Sequence, residues 1–284
     1  MGIILKLIYY LVALLAILPL VGCPGPGTHT QPGTPIKGMG NIEESATALE
    51  AHKAGVIPVL AYGKLKYIYT DNGKRKEENL DANLRFDPPR RLFFNATSMV
   101  GEAIRLGSND EEFWFQMKPK EISQYFWGTW KQLDGCASNL LITPDSMLDA
   151  LGMVTVDSSW MRIDHNGQDM LVKLGDDGRA KKTIYVNRKG YLVSRIEYYD
   201  DQEFKTLTVD ISDYKPVGNG SPIPTKINIT DYNIGEIKAK IEITLKNPRF
   251  LKPEKIRESL FERPPPRGFK SIFKMGDNCK FVEQ

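Results

Sequence analysis

The sequence is poor in the residues from which metal and redox sites are usually built. Its 284 residues include three cysteines and three histidines, too little material for a zinc cluster. Neither sign of charge dominates. Thirty-eight Lys and Arg against 35 Asp and Glu leave a net charge of +3, which argues against nucleic acid as a partner. There is no Gly-x-Ser-x-Gly elbow, no His-Glu-x-x-His, no P-loop and no Gly-x-Gly-x-x-Gly after a strand. Asp164-His165-Asn166-Gly167 reads most economically as a turn and not as part of a triad. The acidic pairs Glu111-Glu112 and Asp176-Asp177 fall in turns or at strand ends, where solvent accounts for them. The reading therefore predicts no catalytic residue, no metal and no cofactor. What is present is a chain with 41% hydrophobic and 26% charged residues, long enough to bury a sizeable core.

Long hydrophobic runs are also scarce, with one near the start. Residues 3–22 are almost wholly apolar, with Lys6 as a weak basic flank and Leu7 to Leu18 as the hydrophobic stretch. The run ends in Leu20-Val21-Gly22-Cys23, which resembles the lipobox of bacterial lipoproteins: aliphatic, small, Gly, then Cys. That resemblance implies a signal peptide over 1–22, cleavage before Cys23 and a lipid anchor on its sulfur. The alternative is an uncleaved membrane anchor, since about 20 apolar residues can just span a bilayer. Either way the remainder is expected outside the cytoplasm. By analogy with enterobacterial sorting, Pro24 in place of Asp does not favour inner-membrane retention; the periplasmic face of the outer membrane is the expected location, with the inner membrane left open. Residues 23–40 open with Pro24-Gly25-Pro26-Gly27 and read as a flexible tether.

Cys136 and Cys279 remain, in a compartment that permits disulfides. They are a disulfide candidate, worth about 4–5 kcal/mol for so long a loop. The alternative is two buried, reduced thiols.

The body, 41–284, is expected to fold as one domain. Asn41 to Glu44 starts a helix that Ile42, Ala46 and Leu49 carry to about Ala54. After Pro58 the period becomes two. Strands are predicted at 59–70, 79–86, 91–98, 102–107, 112–117 and, from its aromatic content, 122–130. Thr143-Pro144-Asp145 starts a second helix, with Met147, Leu148 and Leu151 on its apolar face. Strands resume at 169–174, 181–187, 191–199, 204–211, 224–232 and 236–246. The last has Ile237, Ala239, Ile241, Ile243 and Leu245 opposite Glu236, Lys238, Lys240, Glu242 and Lys246, which gives it one dry and one wet face. The fold expected is mainly β (α+β): a single strongly curved antiparallel sheet of about eleven strands, a half-barrel with a short helical lid.

This order of elements resembles the bacterial lipoprotein-sorting (LolA/LolB-like) family. The nearest local likeness, Leu92 to Leu106, is to its outer-membrane receptor branch, where a short apolar turn joins two strands. The hairpin from Thr230-Asp231-Tyr232 to Lys240-Ile241 is similar to that branch's final one. Phe261 with Pro264-Pro265-Pro266-Arg267-Gly268-Phe269 is similar to the ending of the soluble carrier branch. The resemblance implies a concave apolar surface that shields an acyl chain or a lipoprotein client, exchanged with a periplasmic carrier protein. It also marks Met99 and Val100, in the matched turn, as candidates for contact with membrane or ligand. The family has Leu at the projecting position, and an ordinary hairpin tip is the alternative. The aromatics Phe113, Trp114, Phe115, Tyr125, Phe126, Trp127 and Trp130 are expected as core and strand-surface residues, or in part as cavity lining. Arg85, Arg90 and Arg91 are expected as solvated turn charges. Arg263, Arg267, Lys270 and Lys274 are expected on a solvated face, or against anionic headgroups. A non-catalytic structural lipoprotein with a filled core is the competing function.

Overall fold

Alternation of apolar and polar residues carries most of the chain into one sheet. The structure, a computed structural model, describes residues 42–71, 73–118, 123–133, 143–233, 236–277 and 280–284. It opens with helix α1 (Ile42–Ala54), and six strands follow: β1 (Val59–Asp71), β2 (Lys74–Asp87), β3 (Arg91–Ser98), β4 (Gly101–Ser108), β5 (Glu112–Met117) and β6 (Gln124–Thr129). Two short helices, α2 (Trp130–Leu133) and α3 (Pro144–Ala150), stand mid-chain. The second run of strands is β7 (Met161–His165), β8 (Gln168–Leu174), β9 (Ala180–Asn187), β10 (Leu192–Tyr199), β11 (Lys205–Lys215), β12 (Ile223–Asn233) and β13 (Glu236–Phe250). After two 3-10 turns come β14 (Ser271–Met275) and β15 (Phe281–Glu283).

All fifteen strands belong to one open sheet, ordered β15-β14-β6-β5-β4-β3-β2-β1-β13-β12-β11-β10-β9-β8-β7. Two meanders meet where β1 pairs with β13, Leu65 opposite Ile243. This corrects the expected sheet of about eleven antiparallel strands: the described residues form fifteen strands, and β14 runs parallel to β6, so the sheet is mixed. Three strands escape the sequence reading for physical reasons. β7 has no buried face to impose alternation, since four of its five residues are exposed. β14 and β15 are short, and β14 finds its partner in a strand far back in the chain. The strand expected to start at Ile122 begins at Gln124; Ile122 itself lies outside the described residues.

The registers bring apolar residues into rows on one face. Tyr67, Ile241, Ile229, Val209, Ile196, Ile184 and Leu171 are successive cross-strand partners over seven strands. On the other wing Leu84, Phe94, Leu106, Phe115, Phe126 and Phe273 do the same. Phe115 stacks on Phe126 at 6.1 Å between centroids, and Phe126 on Phe273 at 4.8 Å. One wing is thus β-branched, the other aromatic, and both belong to one buried cluster. The opposite face of the aromatic wing is strapped by the tail. Tyr125 donates to the Pro264 carbonyl at 2.8 Å and packs edge-on to Phe269, while Asn109 donates to the Phe261 carbonyl at 3.1 Å.

At Gly63 the backbone of β1 lies close against that of β13. A Cβ there would overlap the Thr244 carbonyl oxygen, beside the bulge at Leu60/Tyr62.

Candidate functional site

The apolar face needs cover, and α3 with the segment after it provides much of that cover. Thr143 caps the helix: its hydroxyl accepts from the Ser146 N–H at 3.0 Å and the Ser146 hydroxyl accepts from the Thr143 N–H at 3.0 Å, with Pro144 at the first turn. The helix is seven residues long, too short to persist alone in water. Met147, Leu148, Ala150 and Leu151 are buried in the sheet's cluster, followed by Val154, Val156 and Trp160. It touches β4 and β5 on one wing and β11 on the other. α1 contributes Leu49, and its His52 ring lies edge-on to Tyr214 at 6.5 Å. A Cβ at Gly152 would come within 2.8 Å of His52 Nε2, and Gly152 has φ +93°, so both space and backbone require glycine. Burial lowers the His52 pKa from its ordinary value.

Within this apolar layer sits one polar constellation. Asp149, at the buried side of α3, is ion-paired with Lys182 of β9 and accepts a hydrogen bond from the Tyr198 hydroxyl of β10 at 2.5 Å. The Lys182 ammonium also lies 5.2 Å from the Tyr198 ring centroid. Burial works against the Lys182 charge, yet the Asp149 and Asp145 carboxylates outweigh it and hold its pKa above the usual value. Burial, then the neighbouring Asp149, pushes Asp145 up to about 6, with Lys182, Lys173 and Arg90 opposing. Burial raises the Tyr198 hydroxyl as well. The constellation fastens a short amphipathic helix to two strands through side chains.

Sequence reasoning passed over Asp149, Lys182 and Tyr198, although a signal was present. Lys182 shares the two-residue phase of Ile184 and Val186, and Tyr198 that of Ile196, so both had to face the apolar layer. Asp149 interrupts an otherwise apolar Met147–Leu151 stretch.

The residues singled out from the sequence are dispersed. Met99 and Val100 form the β3–β4 tip and are fully exposed. Phe113, Phe115, Phe126 and Trp130 join the core cluster, whereas Trp114 and Tyr125 are buried outside it. Arg85, Arg90 and Arg91 each lie against a ring, respectively Phe93 at 5.8 Å, Trp130 at 5.2 Å and Phe261 at 4.7 Å. Arg90 is an exposed turn residue, as expected, whereas Arg85 and Arg91 are half-buried strand residues. Arg263 is bonded to Glu112 at 2.7 Å and stacks on Trp127 at 4.1 Å, with Lys274 on the same ring at 4.8 Å. Cys23, Cys136 and Cys279 all lie outside the described residues. Among the described residues no group of three or more His, Cys, Asp or Glu is placed to hold a metal, and no helix is long and apolar enough to cross a membrane.

No family model matches the sequence, and no curated protein matches it. Solved structures do. The chain is similar to a LolA superfamily protein from Nitrosomonas europaea, at 9% identity, over 78% of this chain and 97% of that one, with a TM-score of 0.49. It is similar also to a domain from Vibrio parahaemolyticus provisionally named for outer membrane lipoprotein sorting, at 12% identity, over 78% and 100% of the two chains, TM-score 0.49. A DUF1329 family protein from Desulfovibrio piger gives 12% identity, 78% and 97% coverage and a TM-score of 0.48. These are the neighbours that the sequence resemblance anticipates. At such identities and scores they assign no residue a role, which rests here on geometry.

Proposed function

We propose that this is a non-catalytic, lipid-anchored protein of the cell envelope that takes an acyl chain, or another apolar ligand, on the core face of its sheet. The observation that carries the reading is the way α3 is held. β4 and β11 stand six places apart in the strand order, about 29 Å along a flat sheet. A helix about 10 Å across reaches both only if the sheet curls round it. On this reading the helix lies inside a concave surface, as a lid fastened by Asp149, Lys182 and Tyr198, with Asp145 as a second carboxylate near Lys182.

The energetics suit exchange. Four buried side chains of this kind contribute about 6–10 kcal/mol by apolar burial, and an acyl chain of a dozen methylenes contributes about 10 kcal/mol at ~0.8 kcal/mol each. A ligand of that class can displace α3 reversibly without chemistry. The anchor on Cys23 would hold the chain at the periplasmic face of the outer membrane. A lipoprotein client would arrive from a periplasmic carrier, and the exposed Met99-Val100 tip would meet membrane or client.

One observation favours the competing reading of a filled, purely structural core: Met147, Ala150, Leu151 and Val154 are at most 1% exposed. One experiment separates the two. Protein carrying Cys23→Ala and lacking residues 1–22 is purified, its bound lipid analysed by mass spectrometry, and an apolar fluorescent probe titrated. Saturable probe binding and co-purified lipid support the carrier reading; neither being seen removes it.

A further inference from the structure

We propose that strand β7 pairs with β7 of a second copy of this chain, joining two sheets edge to edge about a two-fold axis at Ile163. Among the described residues β7 is the last strand of the order and pairs only with β8. Natural sheet edges are guarded by charged side chains, lysine above all, by proline, by bulges or by extreme shortness. β7 has no proline, lysine or bulge and runs in unbroken register with β8 over Met161-Arg162-Ile163-Asp164-His165, and its two charges, Arg162 and Asp164, are opposite in sign and already tied to Asp169 and Arg188. The opposite edge, β15, is three residues long.

The turn fixes which backbone groups face outward. Asn166 and Gly167 have φ +49° and +78° and form a two-residue turn between His165 and Gln168. That turn closes on a hydrogen-bonded pair, so His165, Ile163 and Met161 direct their N–H and C=O groups to β8. Arg162 and Asp164 direct theirs to the empty side. In an antiparallel pairing centred on Ile163, these are the two residues that meet. Arg162 of one copy stands opposite Asp164 of the other, twice by symmetry, each pair exchanging two backbone hydrogen bonds. The side chains are of opposite charge, and both lie on the face that carries Asp169 and Arg188. Arg162 already bonds Asp169 at 2.7 Å, and Arg188 bonds Asp169 at 2.8 Å and Asp164 at 2.6 Å. A second Asp164 beside Arg162 extends this alternation of charge across the axis. On the other face the pairing covers Met161 and Ile163, which are 45% and 39% exposed, with Ile163 meeting its own copy. Charge complementarity thus selects a second copy over an unrelated strand.

Five residues a side make a small interface, so the association is concentration-dependent. The test uses the full-length protein in detergent. Ile163→Cys, at a non-hydrogen-bonded pair with Cα atoms about 4.5 Å apart, is expected to give on oxidation a disulfide-linked dimer that the wild type and Val282→Cys on the other edge do not give. In sedimentation the wild type should approach twice its monomer mass as concentration rises. Asp164→Lys, at a side chain 62% exposed, sets like charges opposite one another and should weaken that association about tenfold or more. Equal cross-linking at residues 163 and 282, a wild type monomeric at every concentration, or a ladder of masses beyond the dimer would each overturn the proposal.

Discussion

Replacing Asp149 by Asn keeps the side-chain volume and removes the counter-charge of Lys182. In the native protein the Asp149 side chain is 7% exposed and that of Lys182 17%. Removing one partner of a buried ion pair costs about 3–5 kcal/mol. Two features moderate this. Asp145 supplies a second carboxylate near Lys182, and the Tyr198 hydroxyl can still donate to the amide oxygen. The expected loss is therefore about 2–3 kcal/mol, or roughly 4–12 °C in Tm for a domain of this size. Asp149→Leu with Lys182→Met replaces the pair by apolar groups and should lie within about 1 kcal/mol of wild type. Each single change leaves one charge stranded. The two single losses should therefore exceed the double by at least about 2 kcal/mol. Urea unfolding followed by tryptophan fluorescence measures the cycle. Hydrogen exchange over residues 144–151 then locates the effect, because the Asp149→Asn change should speed exchange in α3 before the sheet opens. Additivity of the two single changes within about 0.5 kcal/mol, or exchange in α3 unchanged while the sheet loosens, would refute the idea that this pair fastens the helix.

Four further outcomes follow from the same geometry. Asp145 titrates near 6 in the folded protein against 3.8 ordinarily, so the folded state binds more protons between those values and its stability falls as pH rises from about 4 through about 6; Asp145→Asn should raise Tm at pH 7.5 and leave it nearly unchanged at pH 4. His52 is the opposite case: a base with a lowered pKa confers stability that is present above its ordinary 6.5 and lost as pH falls below it, so the drop in Tm between pH 7.5 and 5.5 should be smaller in His52→Gln than in wild type. Gly63→Ala forces the Thr244 carbonyl away and should destabilise by several kcal/mol, ~3 or more, in thermal unfolding, while Val100→Glu at the exposed tip should leave Tm within about 1 °C and impair ligand transfer if that tip serves it.

Much of the fold was legible because burial writes itself into period. Ile237 to Leu245 alternate without a break; Ala239, Ile241, Ile243 and Leu245 are buried, with Ile241 meeting Tyr67 and Ile229, whereas Ile237, beyond the stretch that pairs with β1, is 53% exposed. Thr143-Pro144 announced a helix start from chemistry alone, and the reciprocal Thr143–Ser146 bonds are what the residues dictate. β7 and β14 were not legible, because neither has a clean dry face. β14 takes its place by pairing with a strand roughly 150 residues earlier, Ile272 opposite Tyr125, and no local pattern encodes such a partner.

The polar constellation was hidden for a different reason. Each of its members, read singly, has an ordinary explanation: a lysine in a strand, a tyrosine in a strand, an aspartate in a short helix. Phase is what distinguishes them. Lys181 belongs to the wet face of β9 and pairs with Asp177 and Asp201 in solvent. Lys182, one residue on, falls in the row of Ile184 and Val186, where a bare ammonium would be untenable without a carboxylate brought from elsewhere. A lysine at a dry phase therefore requires an acid from another element. The helix that covers this sheet has two, Asp145 and Asp149, four residues apart on one side of a single turn. The bonds from α3 to β9 and β10 meet that requirement, while its buried apolar side chains seat it against β4, β5 and β11.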